Sequence, residues 1–494
     1  MASARHGPAV RDRRRHRRAR VHALATRSGC RRAAVAGTRR RHQRRAIRLA
    51  PGAAGPQGAR HLARRVPSCD RSENARRSGA ASELKRELAP VGATLFTAGM
   101  IVGTGIFAAF GAATNAAGTG ILLAIVLGGT VALATGISAA QLGVNFPEEG
   151  GAFTWARAFD HDTIGFIAGC GYLGKALVSM SVVALALTTY LGQVIAGLPV
   201  HVVASIVVLA ITGLNVFGIE LTSKLVIGLL AVLVVLLAIY AGSAAQAVDL
   251  GQLGPLLGDK GVLGVLAGAA IFFWSWDGFM RTAIMASEIK DPRRTIPLSI
   301  VGGVAIAAAV FLPVAAITLG VLGADELGRD DTPLLSAARR AADWLFWPVL
   351  AAAIVAALGD MLGILLTASR VALAMAKVHE LPRALAAVHE RFRTPHRSVA
   401  ALGIASAALV FLFDLRSLIE VASAFMLLWY LVTHFAALQL PTSKRIASPV
   451  FSWYGILGCV GLIASLPAAA LLAAAAALAA LTGARWIARR GVVA

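Results

Sequence analysis

The chain has 494 residues, 57% of them hydrophobic and only 15% charged, with a mean hydropathy of +0.71. A soluble domain is ~45–50% apolar and ~25% charged, so this composition excludes an ordinary soluble protein. The formal net charge of +23 would suit a nucleic-acid binder if it were spread along the chain, and it is not.

Residues 1–82 hold 23 Arg, no Lys and three acids, Asp12, Asp70 and Glu73, leaving 25 basic and 22 acidic residues over 83–494. The leader (RDRRRHRRAR, then RRRHQRRAIR) lacks apolar periodicity and is expected to be disordered. It has no apolar core of the signal-peptide kind. Its readings are an anionic-lipid or nucleic-acid tail, an Arg-rich targeting segment, or translated sequence upstream of the true start. Cys30 and Cys69 fall in the leader, Cys170 and Cys459 in apolar stretches. No spacing of Cys or His suggests a disulfide framework or a metal site, and no cofactor is called for.

From residue 83 the chain is a series of long, continuous apolar runs. Runs of ~20 apolar residues span a bilayer core of ~30 Å, and continuous rather than alternating patterning makes them helices rather than barrel strands. The expected fold class is therefore an all-α polytopic membrane protein of about twelve transmembrane helices. They cover about 92–115, 118–145, 164–193, 199–218, 222–245, 262–287, 298–321, 345–376, 398–413, 415–438, 449–465 and 467–487. The loops support the count, because Lys and Arg gather on the cytoplasmic side. With both termini placed inside, 18 of the 25 basic residues after the leader fall on inner segments and five on outer ones; Lys175 and Arg281 lie within spans. The basic stretch Arg370, Lys377, His379, Arg383, His389, Arg391, Arg393, His396 and Arg397 reads as an inner anchor. PEEGG (147–151) reads as an inner turn that gates release.

Two spans are interrupted. The first contains AGMIVGTGIFAAFG (98–111), where each glycine weakens a helix by about 0.5–1 kcal/mol relative to alanine. The sixth contains FFWSWDGF (272–279), broken around Ser275, Asp277 and Gly278. Breaks in the first and sixth spans suit two inverted repeats of five helices, with the substrate site where the breaks meet. An unwound segment frees amides that favour a carboxylate and carbonyls that favour an ammonium. The competing reading of Gly99-x-x-x-Gly103 is a small-residue helix-packing motif.

GMIVGTGIF, PEEGGAFTWAR (147–157), FFWSWDGFMRTAIMASEIKDPRRTIPLSI (272–300) and ASRVALAMAKVHELPRALAAVHERFRTPHRS (368–398) together resemble the amino acid–polyamine–organocation (APC) transporter superfamily. The resemblance covers about residues 84–490. It implies a five-plus-five inverted repeat (about 92–245 and 262–438) with two more helices at about 449–487. It also implies alternating-access transport of amino acids or related amines across the cytoplasmic membrane, by proton symport or exchange. By the match of motifs, Gly103, Thr104 and Gly105 receive the substrate carboxylate. Ile101 and the backbone around Phe273, Trp274 and Ser275 face the amine, and Trp276 and Phe279 line the side-chain pocket or its gate. The implied partners are an amino acid and the lipid bilayer, with no nucleic acid; a polyamine or other organic cation is the alternative substrate. No constellation of nucleophile, base or metal ligands points to an enzyme.

Charges inside spans are functional candidates because burying them is costly. Asp277 and Arg281 stand at i and i+4 and pair on one face if the helix resumes there; otherwise Asp277 is open to a cationic side chain or a proton. Lys175 and Asp360 have no partner visible in the sequence. Each reads as a proton carrier, a snorkelling end residue or half of a buried pair. Lys224 opens the fifth span and its middle has no lysine, which speaks against coupling through a lysine there. Thr367 and Ser369 offer hydroxyls to a sodium ion. Deleting residues 1–80 is expected to leave membrane insertion and uptake unchanged, measured by membrane fractionation and radiolabelled transport. Loss of either would give the leader an essential role.

Overall fold

A computed structural model describes residues 88–491 except Gly218; the leader, 1–82, lies outside the described residues. In chain order the helices are α1 (Pro90–Ile101), α2 (Gly105–Ala108), α3 (Phe110–Ala117), α4 (Ile121–Asn145), α5 (Ala152–Arg157), α6 (Asp162–Gly192), α7 (Val200–Asn215), α8 (Ile219–Ala244) and α9 (Gly261–Phe272). They continue with α10 (Phe279–Ile284), α11 (Pro292–Leu322), α12 (Ala324–Arg329), α13 (Pro333–Ala341), α14 (Phe346–Lys377), α15 (His396–Leu409), α16 (Leu415–Leu438), α17 (Pro449–Ala464) and α18 (Ala468–Gly491). Among the described residues the only β feature is an isolated parallel bridge between Leu88 and Ile289.

Among the described residues, eight helical segments are long and apolar enough to cross a membrane, including Asp162–Gly192, Pro292–Leu322 and Asp343–Lys377; three shorter apolar helices, at 200–215, 261–276 and 449–464, accompany them. The protein is a polytopic, all-helical membrane protein. The apolar segment of α6 is 89% buried within the protein, against 17% for α18. So α6 is a central post while α18 turns most of its Ala/Leu surface outward. Packed on α6 are α14 and α16, and α1 lies between α8 and α11.

Several boundaries differ from the sequence reading for local reasons. The seventh span begins at Pro292 rather than near 298, because proline suits the first helical turn, where its missing N–H costs nothing; Pro297 and Pro313 are carried inside the helix. The outer loop before α14 folds into α12 and α13, which the apolar pattern could not reveal because they are short and polar on one face. The weak boundary near FDLR is set by Asp414, whose carboxylate accepts hydrogen bonds from the Ser417 backbone (2.9 Å) and hydroxyl (2.7 Å) and so caps α16. These bonds hold its carboxyl below the usual range.

Arg370 departs from the inner-anchor reading. It lies two turns before the end of α14 and is 1% exposed, and among its bonds its guanidinium donates to the Leu366 carbonyl (3.2 Å) and the Ser369 hydroxyl (3.3 Å). PEEGG does form a tight turn, with Gly150 and Gly151 at φ of 109° and 56°. Glu149 pairs with Lys377 of α14 at 3.1 Å. Nearby, Arg485 of α18 forks onto Glu380 with two 2.7 Å bonds, and Arg157 of α5 bridges Glu380 (3.3 Å) and Asp162 (3.0 Å). The loop after α14 is thereby tied to α5, α6 and α18.

The first and sixth spans are both interrupted. The Val102 amide makes the last α1 bond, to Ala98 (2.7 Å), while the Gly103 amide turns back to Ile101 (2.8 Å). In the sixth span a tight turn over Phe273–Trp276 leads to Asp277 in extended conformation and Gly278 at φ 124°, before α10. A side chain at Gly278 would collide with the Met100 carbonyl. Gly278→Ala is therefore expected to lower stability by about 1–3 kcal/mol, read as a lower melting temperature of the detergent-purified protein. An unchanged melting temperature would show that the two breaks are not in contact.

Candidate functional site

The two interruptions meet at the centre of the helices. A side chain on Gly105 would run into Ser275, just as one on Gly278 would run into Met100. Gly99 faces Val226 and Leu230 of α8; a methyl group added there would lie 3.2 Å from each, so it is a packing glycine. Gly103 faces Asp360, and Gly105 faces the other break. The Gly99-x-x-x-Gly103 pattern thus serves packing at its first glycine and the central site at its second. The hydroxyls of Thr97 (α1) and Thr282 (α10) hold the segments flanking the breaks together at 2.5 Å.

Between the breaks is a cavity of about 10 Å³ lined by Met100, Ile101, Gly105, Ser179, Trp274, Ser275, Asp277, Arg281, Asp360 and Ile364. That is room for about one water. The hydroxyls of Thr104 and Ser275 are buried and have no hydrogen-bond partner among the described residues. Buried polar groups are normally bonded; Thr104, Ser275 and the Arg281 Nε are members of the buried unbonded set that lie at the two breaks. Trp274 is fixed by its indole N–H, which donates to Ser179 of α6 (2.8 Å).

One wall of the cavity is a cluster of four buried charges. Asp277 Oδ2 accepts from Lys175 of α6 and from Arg281 (3.1 Å), and its Oδ1 accepts from the Tyr430 hydroxyl of α16 (3.0 Å). Arg281 also reaches Asp360 of α14 with two nitrogens, each 3.1 Å from Oδ1, and touches Met100 Sδ at 3.0 Å. All four side chains are under 10% exposed. The i, i+4 pairing of Asp277 with Arg281 is present, and the partners of Lys175 and Asp360 are each other's neighbours in this cluster. Burial of isolated charges costs several kcal/mol per ion; two acids against two bases make the set locally neutral.

Of the residues singled out from the sequence, Ile101, Gly105, Trp274, Ser275, Asp277 and Asp360 line the cavity, and Lys175 bonds to it through Asp277. Gly103 and Thr104 lie in the break beside it. Phe273 and Phe279 pack on Tyr430, with ring centroids 5.9 and 5.5 Å apart. Trp276 turns away. Its ring lies on Gly128 and Gly129 of α4, edge-on to Phe311 (5.2 Å), beside an apolar groove between α4 and α11. Thr367 and Ser369 spend their hydroxyls on the Gly363 (2.9 Å) and Leu366 (2.8 Å) carbonyls, and Thr367 accepts from Tyr172 (2.8 Å). Lys224 is exposed. Among the described residues no group of three or more His, Cys, Asp or Glu could hold a metal ion.

Tyr430, Ser179 and Arg281 as a bridge to Asp360 were not foreseen. A tyrosine or serine in a span carries no signal of its own, and the Arg281–Asp360 contact joins residues 79 apart in sequence. Removing one member of a buried pair costs about 3–5 kcal/mol, whereas replacing both by neutral groups costs less. Asp277→Asn is therefore expected to destabilise the purified protein more than Lys175→Met does, because it strips an acid from two cations. The double variant is expected to melt above Asp277→Asn alone. Additive losses in such a cycle would mean that the two side chains do not act as a pair.

Comparison with known proteins fits this geometry. Residues 92–483 match the family described as amino acid permease. An uncharacterized transporter of Mycobacterium tuberculosis is 36% identical over 393 residues, covering 78% of this chain and 87% of that protein. A branched-chain amino acid permease of Bacillus subtilis is 28% identical over 414 residues, covering 78% and 88%. A serine/threonine exchanger of Bacillus subtilis is 27% identical over 420 residues, covering 76% and 90%. With most of its length matched and both helix breaks in place, this chain belongs to the amino acid permease family of membrane transporters.

Proposed function

We propose that this transporter moves a neutral amino acid across the cytoplasmic membrane by alternating access, with both termini inside and with proton symport or exchange as the driving reaction. The observation that carries the reading is the meeting of the two breaks at Gly105 and Ser275, with the unpartnered buried hydroxyls of Thr104 and Ser275 beside it. In this reading the amides at Gly103, Thr104 and Gly105 receive the carboxylate, where the first turn of a helix has unused N–H groups. The ammonium goes to the carbonyls left at Ile101 and along Phe273–Ser275. A zwitterion needs both.

Two features favour a neutral substrate over a polyamine or other organic cation. Asp277, the acid best placed to bind a second cation, is already taken by Lys175, Arg281 and Tyr430. The relatives named for their substrates also include a branched-chain permease and a serine/threonine exchanger. Cationic amino acid transporters of Arabidopsis thaliana are similar too, at 28% and 26% identity. Cationic substrates therefore belong in any test.

The narrow cavity implies that substrate enters only when the broken helices part from α6 and α14. Trp274, anchored on Ser179, and the Phe273–Tyr430–Phe279 stack are the aromatic groups placed to move with that opening. Uptake of the twenty radiolabelled amino acids and of putrescine into proteoliposomes, with pH and sodium gradients imposed in turn, tests the reading. Accumulation of neutral amino acids is expected; transport of putrescine alone, or of nothing, would overturn it. Gly105→Leu is expected to abolish uptake while leaving membrane insertion intact. Normal uptake in that variant would remove the carboxylate assignment.

A further inference from the structure

The two acids of the buried cluster are not held alike. Asp277 uses both oxygens on three donors, from Lys175, Arg281 and Tyr430. Among the described residues Asp360 is hydrogen-bonded by Arg281 alone, and both contacts fall on Oδ1. Its Oδ2 has no hydrogen-bond partner among the described residues and points at the break in the first span: a methyl group added at Gly103 would lie 2.9 Å from it. The groups facing Asp360 are Arg281 and Asp277 from the sixth span, and Lys175 from α6 with Tyr172 of the same helix beside the cluster. Tyr430 of α16 reaches only Asp277. The first span brings Met100 and Gly103, which carry no charge, and α8 lays Leu229 against the neighbouring Gly359. Neutralising Asp360 therefore removes one contact pair. Neutralising Asp277 would uncover Lys175 and most of the cluster.

The position of Asp360 matters as much as its bonding. Its carboxylate occupies the space against Gly103 and Arg281, next to the amides assigned above to the substrate carboxylate. A carboxylate is already where a carboxylate is expected to arrive. Arg281 and Lys175 already balance Asp277 and Asp360, so a third carboxylate arriving at Arg281 finds no free cation in a closed, low-dielectric site.

We propose that Asp360 is the site of the coupled proton, its carboxylate standing in for the substrate carboxylate on Arg281 until the substrate arrives and Asp360 takes up a proton. The step balances. The substrate carboxylate forms the ion pair with Arg281 that Asp360 gives up; Asp360 gains one proton from the aqueous side that supplies the substrate; Arg281, Lys175 and Asp277 keep their charges. The empty cluster is neutral, and the loaded one carries the single positive charge of the added proton, so uptake moves one charge per zwitterion. On the other side the order reverses, and deprotonated Asp360 displaces the substrate by reclaiming Arg281.

The inference rests on the amino acid reading above, and the experiment separates the two. Wild-type protein in proteoliposomes, with the membrane potential clamped, is given each of the twenty radiolabelled amino acids. Exchange against the same unlabelled amino acid inside tests transport; accumulation under a one-unit pH gradient, acid outside, tests coupling. No exchange with any of them would sink the amino acid reading. Exchange without gradient-driven accumulation would sink the proton site alone.

For coupling of one proton per substrate, wild type accumulates up to about tenfold per pH unit, the factor equivalent to 1.36 kcal/mol. Asp360→Asn, a fixed neutral side chain, is expected to lose that accumulation, with exchange persisting at a reduced rate and no longer varying with pH. Asp360→Glu is expected to retain accumulation with its pH profile displaced. Accumulation by Asp360→Asn at the wild-type level overturns the proposal. So does loss of exchange together with accumulation in a monodisperse Asp360→Asn, which would make Asp360 a structural partner of Arg281 and nothing more.

Discussion

Four ionised side chains enclosed among helices in a low-dielectric interior impose the constraint around which this transporter is arranged. An unpaired charge there is far more costly than a surface one, and charges in spans survive only when they find partners inside the protein. Lys175, Asp277, Arg281 and Asp360 come from three separate spans, and Tyr430 from a fourth. The cluster therefore dictates that α6, α14 and α16 approach the broken sixth span closely. The approach is possible because small residues stand where bulk would block it. Gly103 leaves room for Asp360, and Gly363 leaves room for Met100 and the Arg281 guanidinium.

The same cluster joins parts that the proposed alternating access would separate. Both acids bond to Arg281, which rides on the resumed helix after the break, while Lys175 and Asp360 ride on long uninterrupted helices. In that proposal, movement of the broken spans against α6 and α14 would exchange these contacts for others. A neutral cluster with one weakly held member is easier to rearrange than one in which every acid is held by several donors. Away from the centre, the links from Glu380 to Arg485 and Arg157, and from Glu149 to Lys377, fasten the end of the molecule that carries the PEEGG turn. Opening at that end requires at least some of them to part.

How much of this was legible in the sequence depends on the range of the signal. Hydrophobic runs, basic loops and glycine interruptions are local, and they placed the spans and both breaks. The i, i+4 spacing of Asp277 and Arg281 is also local, and the pair exists. Arg370 illustrates the limit: grouped with its basic neighbours it read as an anchor, yet the packing around α14 leaves it 1% exposed. Trp276 shows the same limit from the other direction. One residue from Ser275, it nonetheless faces Gly128 and Gly129 of α4, because the tight turn rotates successive side chains to different sides.

The sequence by itself determined that the chain is a polytopic helical membrane protein whose first and sixth spans are interrupted, because apolar run length, loop charge and glycine placement act over a few turns of one helix. Only the tertiary structure decided that Lys175, Asp277, Arg281, Asp360 and Tyr430 form one compensated group, that Gly99 packs while Gly103 faces a carboxylate, and that the two breaks touch at Gly105 and Ser275. Those relations join residues far apart in the chain. Pairing of buried charges is set by which helices are neighbours and how each is rotated about its axis, and no single segment carries that information.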